Sequence, residues 1–359
     1  MKNRLCTLGV ILSLVVFLAS CGGHHGGTVT TTGIVTTLAG TAGNPGSLDA
    51  TGTAATFRTP YGIATDGTSL FVADTGNSTI RRIDIASGLV STLTGSAGNP
   101  GSVDATGTAA TFHTPYGIAT DGTSLYVADT GNNTIRKVVI ATGVVTTLAG
   151  TAGVPGSTDG TGAAALFNLP IGITTDGTNL YVTDTGNNTI RQVVIATGVA
   201  TTLAGSAGVS GSADGTGTAA TFHTPYGIVI DGTSLFVADT GNSTIRKIDI
   251  ASEAVTTFAG SAGTSGSTDA TGTAAFFNHP AGIATDGIIL YVTDTGNSTI
   301  RAVVISSGAV KTLAGIAENS GSVDATGAAA SFYHPVGITS YSSILYVTDT
   351  LNSTIRRIQ

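Results

Sequence analysis

Polar and aromatic side chains cluster around six prolines that recur along the chain. Four of the six histidines lie within two residues of these prolines, together with an arginine, two asparagines and four tyrosines. Aromatic walls with a few polar groups are typical of a site for a small ligand. The residues predicted to bind a ligand are Arg58, Tyr61, His113, Tyr116, Asn168, His223, Tyr226, Asn278, His279, Tyr333 and His334. The alternative is ordinary variation in a surface loop.

The four histidines of this group raise the question of a metal site. Because they occupy two different loop positions in four repeats, we do not expect them to converge within about 2.1 Å of one ion. We therefore predict no metal site and no cofactor. The sequence also offers no cysteine nucleophile apart from Cys21, no distinctive Ser-His-Asp spacing and no phosphate-binding loop.

A second group of polar residues is identical in every repeat. An aspartate is followed seven residues later by an arginine, giving the pairs Asp74 and Arg81, Asp129 and Arg136, Asp184 and Arg191, Asp239 and Arg246, Asp294 and Arg301, and Asp349 and Arg356. A further aspartate precedes each pair, at Asp49, Asp104, Asp159, Asp214, Asp269 and Asp324. Six equivalent binding sites are one interpretation, but identical structural joints explain the same pattern. Because an arginine within an apolar strand must be paired, we predict one charge-assisted pair per repeat, with the loop aspartate as the candidate partner.

These residues belong to a repeat whose prolines, from Pro60 to Pro335, are 55 residues apart. In the first unit, four short strands are predicted over residues 62–65, 69–74, 79–85 and 89–94, with an Asp-Gly hairpin turn after the first. Four antiparallel strands repeated at this spacing predict an all-β, six-bladed β-propeller. The sixth unit departs from the others, because Tyr341 stands where they have the aspartate of the hairpin turn.

The two ends of the chain complement each other. The chain ends after the third strand of the sixth unit, so that unit lacks its fourth strand. The segment Gly33–Gly40, GIVTTLAG, matches the fourth-strand segment Gly143–Gly150, GVVTTLAG. We therefore predict that the N-terminal segment completes the last blade and closes the ring.

The repeat is similar to a known family. The segment Ala109–Val138, AATFHTPYGIATDGTSLYVADTGNNTIRKV, resembles the NHL repeat, whose pattern runs Phe, Pro, Gly-Ile, Asp, Leu-Tyr-Val-Ala-Asp, Asn, Ile-Arg. The resemblance covers all six units, and the preceding SxDATGxAA loop resembles the bacterial lipoprotein form. It implies a six-bladed propeller over residues 33–359. It does not imply one function, because NHL proteins include RNA binders, extracellular sensors, scaffolds and a metal-dependent lyase.

The first 32 residues have a different composition. Residues 1–20 contain Lys2 and Arg4 followed by an apolar run, which is typical of a secretory signal peptide. The run ends in LASC, which resembles the lipobox of bacterial lipoproteins and predicts a lipid on Cys21. Residues 21–32 are interpreted as a flexible tether rich in Gly and Thr. We therefore expect an exported protein anchored in the bacterial cell envelope, at the outer membrane.

Charge limits the range of partners. The formal net charge is −7, and removal of Lys2 and Arg4 with the signal peptide would make it two units more negative. Because phosphate contacts need clustered cations, we expect no nucleic-acid partner. The predicted function is a monomeric, membrane-anchored module that binds a small molecule or a protein at the mouth of the propeller channel. The alternatives are a metal-dependent lyase or lactonase at that mouth, and a purely structural surface protein.

Overall fold

The computed structural model describes residues 33–359, which lie within one compact unit. The predicted signal peptide, the lipidation site at Cys21 and the tether lie outside the described residues. Within residues 33–359, no helix has the length and hydropathy that crossing a membrane requires.

The described chain forms six antiparallel sheets, which we call blades 1 to 6 in chain order. The first described strand is β1 (Val35–Ala39). Blade 1 contains β2 (Pro60–Thr65), β3 (Ser69–Asp74), β4 (Thr79–Asp84) and β5 (Val90–Thr94). Blade 2 contains β6 (Pro115–Thr120), β7 (Ser124–Asp129), β8 (Thr134–Val139) and β9 (Val145–Ala149). Blade 3 contains β10 (Gly160–Thr161), β11 (Pro170–Thr175), β12 (Asn179–Asp184), β13 (Thr189–Val194) and β14 (Val199–Ala204).

The remaining blades follow the same order. Blade 4 contains β15 (Gly215–Thr216), β16 (Pro225–Asp231), β17 (Ser234–Asp239), β18 (Thr244–Asp249) and β19 (Ala254–Ala259). Blade 5 contains β20 (Pro280–Thr285), β21 (Ile289–Asp294), β22 (Thr299–Val304) and β23 (Val310–Ala314). Blade 6 contains β24 (Pro335–Tyr341), β25 (Ile344–Asp349) and β26 (Thr354–Ile358), together with β1. The two-residue strands β10 and β15 give blades 3 and 4 a fifth strand beyond the four predicted.

Short 3-10 helices occupy two positions in every repeat. One lies in the long loop before each first strand, at Gly52–Ala54, Gly107–Ala109, Gly162–Ala164, Gly217–Ala219, Gly272–Ala274 and Gly327–Ala329. The other joins the second and third full-length strands, at Thr75–Asn77, Thr130–Asn132, Thr185–Asn187, Thr240–Asn242, Thr295–Asn297 and Thr350–Asn352. The turns of this second group lie at the end of the sheets where the first strands begin, since Pro60 pairs with Asp74 next to the turn of blade 1. We call this end the long-loop face. The opposite end, with the hairpin turns, is the hairpin face.

The predicted closure of the ring is confirmed. Strand β1 pairs antiparallel with β26, so that Val35 is opposite Ile358 and Ala39 is opposite Ile355. Hydrogen bonds between neighbouring blades form a ring as well. In each 3-10 turn between the second and third strands, the first threonine donates its hydroxyl to the proline carbonyl of the next blade. This ring closes where Thr350 donates to the carbonyl of Pro60 over 2.7 Å.

The hydrophobic core lies between the blades. Every residue of β3 is buried, and alternate side chains pack against opposite neighbours. Leu70 packs towards blade 6, against Tyr346 and Ile355, whereas Phe71 packs towards blade 2, against Leu125. Because both faces of a blade are covered, its second strand is a continuous apolar run instead of an alternating one.

The hairpin turns depend on the aspartate and glycine identified in the sequence. Gly67 has a φ of +90°, and the Asp66 carboxylate accepts hydrogen bonds from the backbone N–H groups of Thr68 and Ser69. In blade 6 the turn is made by two serines with positive φ. The Tyr341 ring packs against the blade 1 hairpin, where a Cβ added to Gly67 would lie 2.7 Å from it. The departure in the sixth unit is therefore a contact across the blade 6 to blade 1 junction.

Candidate functional site

The first strands of the blades surround the central channel. Strands β2, β6, β11, β16, β20 and β24 each contact the corresponding strand of both neighbouring blades. A cavity of about 70 Å³ lies towards the long-loop face. Its walls are the residue after each proline and the glycine that follows. A larger cavity of about 430 Å³ lies towards the hairpin face and is lined by the next three residues of each first strand. We call the smaller cavity the cup.

The backbone approaches itself closely around the cup. A Cβ added to Gly62 would lie 2.2 Å from the carbonyl oxygen of Tyr116 in the next blade. The equivalent distance is 2.0–2.1 Å at the other five blades. Because no side chain fits there, these glycines let the six first strands close tightly around the channel.

Three tyrosines supply the aromatic wall of the cup. The rings of Tyr61 and Tyr116, from adjacent blades, have centroids 4.3 Å apart and are tilted by 46°. Burial raises the pKa of Tyr61, and burial together with the nearby Tyr61 hydroxyl raises the pKa of Tyr116 to about 12. Burial and the influence of Tyr116 also raise the pKa of Tyr226. All three phenols are therefore protonated at neutral pH and can donate hydrogen bonds. The cup is completed by Ile171, Ala281 and Val336.

The residues two positions before each proline form a rim on the long-loop face. Arg58, His113, His223 and Tyr333 are exposed, whereas Asn168 and Asn278 are partly exposed. Their backbone N–H groups donate to the buried aspartates of the repeat, as from Arg58 to Asp74 over 2.7 Å. In blades 1 to 5 their side chains lie over the glycine of the 3-10 turn, since a Cβ added to Gly76 would lie 2.5 Å from Cγ of Arg58. The structure therefore places these six residues beside the turns of the long-loop face, and none of them lines the cup.

The residue directly before each proline has a left-handed backbone. Its φ ranges from 44° to 57°, and the residues are Thr59, Thr114, Leu169, Thr224, His279 and His334. This conformation is costly for a branched side chain such as threonine, so it is held by the surrounding contacts. His279 and His334 lie near each other, and burial, reinforced by His279, lowers the pKa of His334. His334 is therefore neutral at physiological pH.

The histidines do not form a metal-binding cluster in the structure. Within residues 33–359, no three side chains of His, Cys, Asp or Glu are close enough to hold one ion. His279 instead contacts the side-chain oxygen of Asn278 through Nδ1 over 2.8 Å. The rim is thus an arrangement of separate hydrogen-bonding groups.

The structure reveals a feature that the sequence analysis missed. In blades 3, 5 and 6 the second full-length strand carries a threonine one residue before its buried aspartate. Thr183 accepts a hydrogen bond from the Gly172 N–H over 2.7 Å and donates to the Tyr226 carbonyl of the next blade over 2.6 Å. Blades 1, 2 and 4 have alanine at this position, and these are the blades that have tyrosine after the proline. A comparison of paired columns among the six repeats would have revealed this division.

The aspartates and arginines identical in all repeats lie away from the cup. Arg81 is fully buried and binds Asp74 over 2.8 Å and the loop residue Asp49 over 2.6 Å. Its guanidinium also lies over the ring of Phe57, with 5.1 Å to the centroid. Asn77 completes the group by donating to Asp74 over 2.7 Å. The predicted pairing with the loop aspartate is observed in every blade, and a second aspartate joins it.

The loop aspartate has a further contact at the outer edge of each blade. Asp49 accepts hydrogen bonds from the backbone N–H and the hydroxyl of Thr92 in the outermost strand. Asp324 binds Thr37 of β1 in the same way. An edge strand with unpaired N–H groups can pair with the edge strand of another chain. These contacts occupy such groups and so protect the outer edge of the sheet. The network is therefore a structural joint that also secures the N-terminal strand.

Comparison with known proteins supports the repeat assignment. No family model matches the chain. The human protein named NHL repeat-containing protein 2 is 28% identical over 305 residues, which is 75% of this chain and 42% of that protein. The resemblance to NHL-repeat proteins is confirmed. The chain spans less than half the length of the curated relatives it matches.

Solved structures share the propeller fold. A crystal structure of a protein of unknown function from Bacteroides thetaiotaomicron matches with a TM-score of 0.70 and 21% identity, covering 90% of this chain and 75% of that chain. An auxiliary nutrient binding protein from the same species matches with a TM-score of 0.68 and 17% identity, covering 91% and 76%. At these identities the likeness concerns the fold alone.

Proposed function

We propose that this NHL-type propeller is a binding module of the bacterial cell envelope, anchored through a lipid on Cys21 and binding a small molecule or protein at its long-loop face. The observation that carries the proposal is that the side chains around the cup differ between blades whose backbone repeats six times. The Asp-Arg network is identical in all blades, whereas the side chains around the cup differ from blade to blade. A merely structural ring does not need such variation beside a cavity.

Two further observations support this proposal. A structural relative that shares the fold over 91% of this chain is named an auxiliary nutrient binding protein. Strand β1 also begins at the hairpin face, because Val35 pairs with Ile358 near the end of the last strand. The first described strand therefore starts at the end of the propeller opposite to the cup.

Binding can be tested by capture from native envelope extract. The full chain carrying Arg58→Ala, Tyr116→Ala and His223→Ala is compared with the wild type, and bound proteins and small molecules are identified by mass spectrometry. We expect the triple variant to lose a partner that the wild type retains. The matched control is Lys137→Ala, on the third strand of blade 2 and away from the cup. If the wild type, the triple variant and Lys137→Ala captured the same molecules in equal amounts, the result would favour a purely structural protein over a binding module.

Anchoring is tested separately. In a bacterial host supplied with labelled palmitate, the wild-type chain is expected to incorporate label and to partition with membranes. Cys21→Ala is expected to abolish both, because the thiol that would carry the lipid is removed. Incorporation of label into Cys21→Ala would contradict the lipidation proposal without affecting the binding proposal.

A further inference from the structure

Basic groups and tyrosines occur together around the cup. Blade 1 carries Arg58 with Tyr61, blade 2 carries His113 with Tyr116, and blade 4 carries His223 with Tyr226. The other three blades combine a neutral rim residue with Ile171, Ala281 or Val336. Because blades 1 and 2 are neighbours, two of these pairs are adjacent, and the rings of Tyr61 and Tyr116 contact each other. The wall of the cup therefore carries two adjacent phenols at blades 1 and 2, whereas it is aliphatic at blades 3, 5 and 6.

The size and lining of the cup restrict what enters it. A volume of about 70 Å³ is several times the about 10–15 Å³ of cavity space that one water molecule needs, so the cup can hold a small chemical group. The lining consists of aromatic and aliphatic side chains and glycine. A compact apolar group fits such a space, whereas a charged group would lose its hydration there. Any charge on the ligand must therefore remain at the rim.

The sign of charge differs between the two ends of the channel. Among the rim residues Arg58 carries a positive charge and none is a carboxylate, and the aspartates below them are fully buried against arginines. The hairpin face carries the turn aspartates Asp66, Asp121, Asp176, Asp231 and Asp286. Arg58 is exposed, so its guanidinium is available to a ligand at the rim. A negatively charged group of a ligand, which accepts hydrogen bonds, therefore fits the long-loop face of the channel.

We propose, on the basis of the binding function above, that the ligand bears a carboxylate next to a compact apolar group. The apolar group occupies the cup. The carboxylate lies over blades 1 and 2, where Arg58 and His113 face it and the hydroxyls of Tyr61 and Tyr116 can donate to it. This assigns the ligand class to small organic acids.

Three probes of nearly equal shape test the proposal. Isovalerate, 3-methyl-1-butanol and 3-methylbutylamine share one branched apolar group and differ in charge. Their binding to the purified propeller is measured by ligand-observed NMR and calorimetry. We expect isovalerate to bind best and the amine worst. Arg58→Gln should lower the affinity for isovalerate roughly tenfold, because a hydrogen bond to a charged group is lost. The affinity for the alcohol should not change.

Two further variants complete the design. Ala281→Leu fills the cup and is expected to abolish binding of both the acid and the alcohol, with its folding verified by circular dichroism. Lys311→Gln removes a cation from the exposed outer strand of blade 5 and should change nothing.

The outcomes separate this proposal from the binding function. Equal affinity for all three probes, or an unchanged affinity of Arg58→Gln, would overturn the carboxylate assignment. If Ala281→Leu still abolished binding, the cup would remain a binding site. Absence of binding by every probe would also overturn the assignment, and the capture experiment would then decide on the binding function by itself.

Discussion

At the scale of single residues, the buried arginine is the most constrained part of each blade. Arg136 has no solvent exposure and contacts Asp129, Asp104 and the ring of Phe112. Its donors also reach the carbonyl of Thr111 in the loop before the blade. One side chain thus joins the loop, the strand and the turn, which explains why an ion pair is kept inside an apolar core.

Replacement of this arginine should destabilise the fold. Arg136→Met keeps most of the side-chain volume but leaves two carboxylates without their cation. Removing one partner of a buried ion pair costs about 3–5 kcal/mol. We expect a corresponding loss in the free energy of unfolding, measured by chemical denaturation. Lys137→Met, at the adjacent and partly exposed position, serves as the control and should change it by less than about 0.5 kcal/mol. Similar stability of the two variants would contradict the structural role.

The buried aspartates make an unusual pH dependence. Burial raises the pKa of Asp74, Asp184 and Asp349 to about 6, although hydrogen bonds and the arginines act in the opposite direction. The corresponding aspartates of the other blades are raised as well. The folded state therefore holds these protons more tightly than the unfolded state, in which the pKa is near 3.8.

Mild acidification should accordingly not destabilise the protein. The contribution of Asp74, Asp184 and Asp349 is fully present below about pH 4 and is lost as the pH rises through about 6, and the other three aspartates act in the same direction. Between pH 7.5 and pH 5, we expect the melting temperature to rise or to stay constant. Scanning calorimetry in buffers of equal ionic strength measures this. A marked fall over this interval would show that the arginines keep the aspartates ionised.

At the scale of elements, the junctions between blades are of two kinds. Three junctions contain the threonine hydroxyl that accepts from one blade and donates to the next, as at Thr183, Thr293 and Thr348. The other three have alanine at this position. The ring therefore combines nearly identical blades with two kinds of junction. The cup tyrosines Tyr61, Tyr116 and Tyr226 belong to the blades that have alanine in place of the bridging threonine.

The threonine bridge can be tested by an isosteric change. Thr183→Val keeps the shape and removes the hydroxyl from both Gly172 N–H and the Tyr226 carbonyl. We expect a loss of about 1–3 kcal/mol in the free energy of unfolding, because buried polar groups lose a partner. Thr178→Val in the exposed hairpin of the same blade is the control. Equal unfolding curves for these two variants would show that the bridge contributes little.

At the scale of the whole molecule, stability depends on the N-terminal strand. Strand β1 is the outermost strand of blade 6, and its Val35 belongs to the core between blades 5 and 6. Asp324 holds the same strand through Thr37. Removal of β1 therefore exposes β26 as an edge and uncovers part of the core.

Two truncations separate closure from the loss of the preceding segment. Deletion of residues 1–40 removes β1, whereas deletion of residues 1–32 retains it. We expect the protein that lacks residues 1–40 to melt at a markedly lower temperature than the one that lacks residues 1–32, and to aggregate, because its ring is open at blade 6. The deletion of residues 1–32 should melt as a closed propeller. Identical melting of the two proteins would contradict closure by β1.

The sequence by itself determined the blades, their number and the closure. Six prolines at equal spacing mark the first strands, and the matching segment Gly33–Gly40 identifies the missing strand, because local patterning sets where strands begin and end. Of the six residues after the prolines, which line the cup, the sequence analysis nominated the three tyrosines Tyr61, Tyr116 and Tyr226.

Only the tertiary structure decided how these residues meet. That Arg81 binds two aspartates, that the ring of Tyr61 contacts the ring of Tyr116 and that Thr183 bridges two blades depend on distances between segments far apart in the chain. Side-chain chemistry within one repeat indicates which groups need partners. The partner itself is chosen when neighbouring blades pack, because packing alone brings a carbonyl of one blade within 2.6 Å of a hydroxyl of another.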